Sequence, residues 1–365
     1  MPAITAKLRN LHASLTMPAL LIILFTTFSV YSCKKNSSPT GPDILQPGRR
    51  DYVWTVDTIK PQKTSFIYLD RIWGSDRENV WAVGSGSPDK EMTWHYDGKV
   101  WRTDSVPKNY YPTAVFGFGR NDMWIGNINN EFYRCTDGKT FKLFSTHSLP
   151  DYPRTLIGEI WGASPDEVYA IGNAETEKRD KYKMIIMQFN GKSWNFYNIP
   201  DMVIQPFWIR KQQNSGILLI CAVEDAWHDK GFTILSFDGK KIKELYKSDE
   251  FSSLSYMNGE VYISIGKKVY KYKNGTLALW KDFTNTIFYA RIFGRNESDF
   301  FCFARKDGKF GIGHYNGTDF QFMYSPNPEF PFYEGCVLEN EVFFLGHDFD
   351  RTGYSLIIHG KLKGD

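Results

Sequence analysis

The run His347-Asp348-Phe349-Asp350 places an imidazole and two carboxylates within a few residues, a set that could ligate a divalent metal or supply a general base. The same residue types also make an Asx-turned loop in water. A second run, Glu224-Asp225-Ala226-Trp227-His228, offers Trp227 and His228 for stacking on a sugar or an aromatic ligand, with the capping of a sheet edge by Trp227 as the alternative. Arg71, Glu159 and Arg291 each precede an Ile in a recurring Ile-aromatic-Gly segment. Charges repeated at one structural position read either as a mutually neutralising network or as ligand-binding groups. Glu159, Asp225 and Asp348 are the carboxylates on which cleavage of a glycan would draw. A nucleophile elbow, a His-Glu-x-x-His helix, a phosphate loop and a calcium loop are all missing from the sequence. No cofactor and no metal are expected, and enzymatic activity stays open.

The elements that must position these residues are legible from a repeat. Asp97-Gly98, Asp137-Gly138, Asn190-Gly191, Asp238-Gly239, Asn274-Gly275 and Asn316-Gly317 recur at intervals of about forty residues, with His359-Gly360 as a degenerate seventh turn. Each follows a strand-like run such as Thr93-Trp94-His95-Tyr96. The clearest unit contains Ile72-Trp73-Gly74, Val80-Trp81-Ala82-Val83-Gly84, Trp94-His95-Tyr96-Asp97-Gly98 and Val100-Trp101, and it returns at Ile160-Trp161-Gly162, Val168 to Gly172, Met187 to Gly191 and Ser193-Trp194. Four short strands per unit and seven units predict an all-β, seven-bladed propeller. The Asp-Gly and Asn-Gly turns are expected to be two-residue type I′ turns with positive φ at both positions. Trp73, Trp81, Trp101, Trp124, Trp161 and Trp194 are expected to fill the space between blades.

These segments resemble the tandem units of seven-bladed propellers in bacterial envelope lipoproteins. The likeness rests on Ile-Trp-Gly-x-Ser, Val-Trp-Ala-Val-Gly and His-Tyr-Asp-Gly-x-x-Trp and spans residues 51–365. Sialidase Asp boxes, WD40 blades and quinone-cofactor propellers fit less well. The resemblance implies a fold and is nearly silent on activity, because propellers host enzymes, receptors and scaffolds alike. In such a fold the loops entering the innermost strands and those joining second to third strands share one face, where a site is expected. Those loops carry Tyr110, Tyr111, His147, Tyr152 and Phe330 to Tyr333 besides the two runs above.

Both chain ends carry further signals. Val53-Trp54-Thr55-Val56-Asp57 reads like the outermost strand Val100-Trp101-Arg102-Thr103-Asp104, so an orphan N-terminal strand is expected to complete the seventh blade beside Ser355 to His359. Residues 1–32 have a basic start, an apolar run from about Pro18 to Val30 and a small-residue site before Cys33, the pattern of a lipoprotein signal peptide with lipidation at Cys33. Residues 33–50 read as a flexible tether and 51–365 as the propeller.

The expected setting is therefore the bacterial cell envelope, most simply the outer membrane, with the membrane reached through the lipid anchor. A glycan, peptide or envelope protein is the expected partner for a monomeric binding or scaffold module, and a carbohydrate-active hydrolase or lyase is the alternative. The formal charge of +3 falls to +1 once Lys7 and Arg9 leave with residues 1–32, which gives no basis for a nucleic-acid partner. Cys135, Cys221, Cys302 and Cys336 fall in strands of four different blades without metal-site spacing. They read as buried thiols, with a Cys302–Cys336 bridge left open.

Overall fold

The computed structural model describes residues 47–61, 66–87, 91–103, 111–213, 215–225, 228, 230–326, 329–348 and 353–364. The expected signal segment, Cys33 and most of the tether lie outside the described residues, as do Tyr110, Trp227, Phe349 and Asp350. Among the described residues, 28 strands form seven four-stranded antiparallel sheets and no helix is long and apolar enough to cross a membrane. Each sheet is one blade. The inner strands are Phe66–Asp76, Pro112–Gly119, Arg154–Ser164, Gln205–Lys211, Ser252–Met257, Phe288–Asn296 and Phe332–Val337. Each contacts the next, and the seventh contacts the first, so the ring is closed.

The core consists of apolar clusters sandwiched between neighbouring blades, because both faces of every sheet are covered. Trp81 and Trp124 are fully buried there, and Trp194 stacks on Phe132 with ring centroids 4.0 Å apart. Three histidines inside this core are matched across strands. His95, His314 and His359 on third strands meet Asn79, Asp299 and Glu341, the residues that open the neighbouring second strands, at 3.2, 2.8 and 2.7 Å. The four cysteines are buried free thiols, so Cys302 and Cys336 are not bridged.

Two expectations about turns are corrected. At Asn274-Gly275 both residues have positive φ, 50° and 79°, as a type I′ turn requires. At Asp97, Asp137, Asn190, Asp238 and Asn316 only the following glycine does. There the side-chain oxygen accepts amides two and three residues on, as when Asp238 Oδ1 takes Lys240 N at 2.8 Å and Lys241 N at 2.6 Å. The acid or amide thus folds the loop through its side chain, an Asx turn. At the equivalent turn the amides of Thr140 and Lys139 lower the Asp137 carboxyl to about 2. His359-Gly360 is no turn at all: it lies inside the strand Tyr354–Leu362. A turn is unnecessary because the outer partner arrives from the other end of the chain.

That partner is Tyr52–Ile59, paired antiparallel with blade seven from Tyr52 opposite Leu362 to Ile59 opposite Ser355. Trp54 stacks on Tyr324 at 5.5 Å, Tyr52 packs edge-on against Phe301 at 5.4 Å, and Asp57 accepts Trp101 Nε1 at 3.1 Å. The strand therefore binds both flanking blades. Gly48 and Arg50, read as tether, are tied to blade six: Gly48 N donates to Ser298 O at 3.0 Å, and Arg50 reaches Asp319 at 2.8 Å and the His314 carbonyl at 3.1 Å. Deleting residues 51–59 should lower the thermal midpoint of the whole domain by on the order of 10 °C, as a single cooperative transition. Differential scanning calorimetry checks this, and an unchanged midpoint would mean that blade seven stands on three strands.

Candidate functional site

The inner strands carry a repeated irregularity that shapes the axis. Six of them slip register, at Asp70, Thr113, Gly158, Phe207, Tyr333 and, in the sixth, at both Tyr289 and Arg291, whereas Ser252–Met257 pairs regularly. A bulge re-aims the residues beside it. It also forces the backbone against the second strand, where only glycine fits: a Cβ at Gly84 would meet Tyr68 O at 2.1 Å, and one at Gly172 would meet Leu156 O at 1.8 Å. The closing glycines of Val-Trp-Ala-Val-Gly84 and Val-Tyr-Ala-Ile-Gly172 are therefore the sequence trace of the bulges.

Beyond the bulge, alternate residues face the axis while Ile72, Ile160 and Ile292 enter the clusters between blades. The result is a central cavity of about 240 Å³ with two tiers. Arg71, Glu159, Arg291 and Glu334 form the charged tier; Trp73, Phe116, Trp161 and Phe293, two residues further along their strands, form an aromatic tier with Tyr256. Four of these rings form a chain, with centroids 6.3 Å apart for Trp73–Phe116, 6.5 Å for Phe116–Trp161 and 5.1 Å for Trp161–Tyr256. Blade four inverts the order, with Trp208 at the charged level and Arg210 at the aromatic level.

Arg71, Glu159 and Arg291 are thus brought together, and Arg210 and Glu334 complete the set. Glu159 Oε1 pairs with Arg210 Nη1 at 2.8 Å, while its Oε2 accepts Ile209 N at 2.6 Å. Arg291 Nη2 pairs with Glu334 Oε1 at 2.6 Å, its Nη1 donates to Tyr333 O, and its guanidinium lies 4.9 Å from the ring centroids of both Trp208 and Phe293. Its backbone has a φ of 51°, a left-handed conformation that a side chain of this size enters at a cost of about 1–3 kcal/mol. Arg71 differs. It donates only to main-chain carbonyls, Asp70 O at 3.1 Å and Gly158 O at 3.3 Å, and among the described residues no carboxylate forms a salt bridge with it.

Burial dominates the electrostatics. It raises the Glu159 carboxyl despite Arg210, and it lowers Arg291 despite Glu334. At Arg71 burial pulls downward, but the carboxylates of Asp70, Glu334 and Glu159 together hold the guanidinium above its usual value. Asp70 sits beside the cavity rather than in its lining, with Oδ1 buried and accepting no hydrogen bond. Burial pushes its carboxyl up to about 6.

The remaining sequence candidates lie elsewhere. His347 is 1% exposed; its ring stacks on Tyr68 at 3.9 Å, its Nδ1 meets Ser355 Oγ at 3.1 Å, and burial lowers it to about 4. Ser355 in turn accepts Leu69 N at 2.8 Å, so this group stitches blade seven to blade one. Asp348 ends the same strand as His347 and does not line the cavity. His228 is exposed on blade four and touches Asp225 at 2.6 Å, again outside the cavity. Among the described residues no three His, Cys, Asp or Glu side chains converge as a metal site.

The sequence matches no protein-family model and no curated protein. Solved structures share the fold. YCF48 bound to D1 peptide superposes with a TM-score of 0.58 at 13% identity, over 86% of this chain and 99% of that one. Oligogalacturonate lyase in complex with manganese gives 0.54 at 9%, over 88% and 99%. BBS1N in complex with ARL6DN gives 0.50 at 12%, over 87% and 98%. At such identities the likeness is one of architecture, a propeller of four-stranded blades.

The Asp70 environment generates a prediction with a defined sign. Its folded value of about 6 lies above the 3.8 of an unburied Asp, so the folded state binds the proton more tightly. The associated stability is present below pH 3.8 and lost as pH rises through 6. Asp70→Asn should therefore raise the melting temperature by several degrees at pH 7.5 and change it little at pH 3.5. Paired thermal scans at the two pH values check this, and equal effects at both would contradict the assignment.

Proposed function

We propose that this chain is a binding module held at the bacterial cell envelope by a lipid on Cys33, and that it engages a peptide or protein through the axial cavity. The carrying observation is the state of the cavity's carboxylates. Glu159 uses both oxygens on Arg210 and on the Ile209 amide, and Glu334 is tied to Arg291. Acids so engaged set arginine side chains for recognition. Glu159, with both oxygens occupied, is poorly placed to move protons, because a general acid or base needs a free oxygen within reach of its substrate. The three carboxylates available to a glycan-cleaving reaction are also dispersed: Glu159 lines the cavity, whereas Asp225 and Asp348 do not. Two of the propellers of similar fold were solved with a peptide or protein partner, YCF48 with D1 peptide and BBS1N with ARL6DN, which supports the same direction.

The second reading, a carbohydrate-active enzyme, draws on the fold likeness to an oligogalacturonate lyase. A direct comparison separates the two. Tagged full-length chain, crosslinked in envelopes and purified in detergent, is expected to retain a protein or peptide partner that Arg291→Ala releases. Depolymerisation of an acidic polysaccharide, abolished by Glu159→Gln, would decide for the enzyme instead. The anchor has its own test. Cys33→Ala should lose acyl label and shift from the detergent phase to the aqueous phase on Triton X-114 separation; an unlabelled wild type would remove the anchor from the proposal.

A further inference from the structure

Three guanidinium groups, Arg71, Arg210 and Arg291, reach the axial cavity, but its lining supplies only two carboxylates, Glu159 and Glu334, and each of these is taken by one arginine. Arg71 makes no salt bridge with a described carboxylate, and the acid that acts on it most strongly, Asp70, lies outside the lining. The hydrogen bonds of Arg71 to described residues go to two neutral carbonyls, which leaves further N–H groups of the guanidinium for a carboxylate. Resting on the reading of this chain as a peptide- or protein-binding module, we propose that the cavity takes the C-terminal residue of a peptide, with the terminal carboxylate on Arg71 and an apolar side chain against the aromatic tier.

Three properties of the site select this ligand. An arginine that makes no salt bridge, although the charges of Asp70, Glu334 and Glu159 act on it, presents planar N–H donors that match a carboxylate better than a neutral group. The uncharged lining is apolar or aromatic apart from Ser255, whose hydroxyl is spent on Ile292 O at 2.6 Å, and Tyr256. A sugar acid would bring several hydroxyls against the aromatic tier, where each one left unpaired carries a cost. Size then decides between a chain end and a chain interior. About 240 Å³ lies below the range of sites for drug-sized ligands and suits a single residue.

The test uses the full-length chain in detergent and two synthetic hexapeptide libraries, randomised and ending in Leu, Phe or Val, one with free and one with amidated C-termini. Trp73 and Trp161 in the lining allow binding to be followed by tryptophan fluorescence. Free-acid peptides are expected to bind at least tenfold more tightly than their amides. Arg71→Gln should erase that difference without shifting the melting temperature by more than a few degrees, and Arg71→Lys should restore part of it. If Arg71→Gln does not fold, wild-type protein decides alone: N-acetyl-leucine should displace a bound free-acid peptide and N-acetyl-leucinamide should not. Equal affinity for acids and amides, no binding of either library, or tighter binding of oligogalacturonate than of peptides would overturn the proposal. A partner captured from envelopes whose binding ignores the carboxylate would overturn it while leaving the binding-module reading intact; absence of any captured partner together with peptide-blind libraries would remove both.

Discussion

The pairing of Tyr52–Ile59 with Tyr354–Leu362 is the constraint on which the architecture rests. A ring of blades has no hydrophobic core at its centre; its stability lies in the interfaces between neighbours, and each blade is held only by the two beside it. Blade seven is therefore assembled from both ends of the chain. The loop closed by that pairing spans nearly the whole domain, yet loop-closure entropy grows only logarithmically with length, so joining the ends costs little more than joining neighbouring blades. The larger consequence is kinetic. Contacts this distant in sequence form late, and topologies that depend on them fold slowly.

Closure also explains why charge can be kept at the axis. Seven inner strands converging on one line leave a cavity of about 240 Å³ between them. The bulges turn alternate residues into this space, and pairing between different blades, Glu159 with Arg210 and Arg291 with Glu334, compensates for their desolvation. Such pairs are costly to break from one side, because the abandoned partner stays buried. The axial network thus couples blades three to four and six to seven through groups that also define the cavity. The strained backbone of Arg291 belongs to the same arrangement: its guanidinium is fixed by a carboxylate, a carbonyl and two rings, which together hold a conformation that the isolated residue avoids.

Much of this was legible from the residues, for identifiable reasons. The blade count, the four-strand units and the N-terminal closing strand follow from period-two alternation and from turn residues, both local signals. The charged tier was legible in part: Arg71, Glu159 and Arg291 were found because each precedes an Ile in a conspicuous repeat. Glu334 was missed because Gly335 and Cys336 replace the usual Ile and aromatic, although Gly346 in the next strand marks the same bulge. Arg210 was missed because blade four exchanges its two tiers, which no spacing reveals. The side-chain-folded turns escaped notice because Asp-Gly looks alike whether Asp adopts positive φ or accepts hydrogen bonds from the amides that follow.

The four buried thiols have a consequence beyond packing. Cys135, Cys221, Cys302 and Cys336 lie in blades two, four, six and seven, and burial is the leading cause that holds each thiol above its ordinary pKa. A thiol in that state reacts with an aqueous reagent only when its surroundings part. The chain therefore carries a native set of reporters, spaced around the ring, whose alkylation rates rank its interfaces by how often they breathe. Cys336 sits at the seam between the last blade and the first, packed beside Gly74. Its rate relative to the other three distinguishes a ring that unzips from its seam from one that opens anywhere with equal ease.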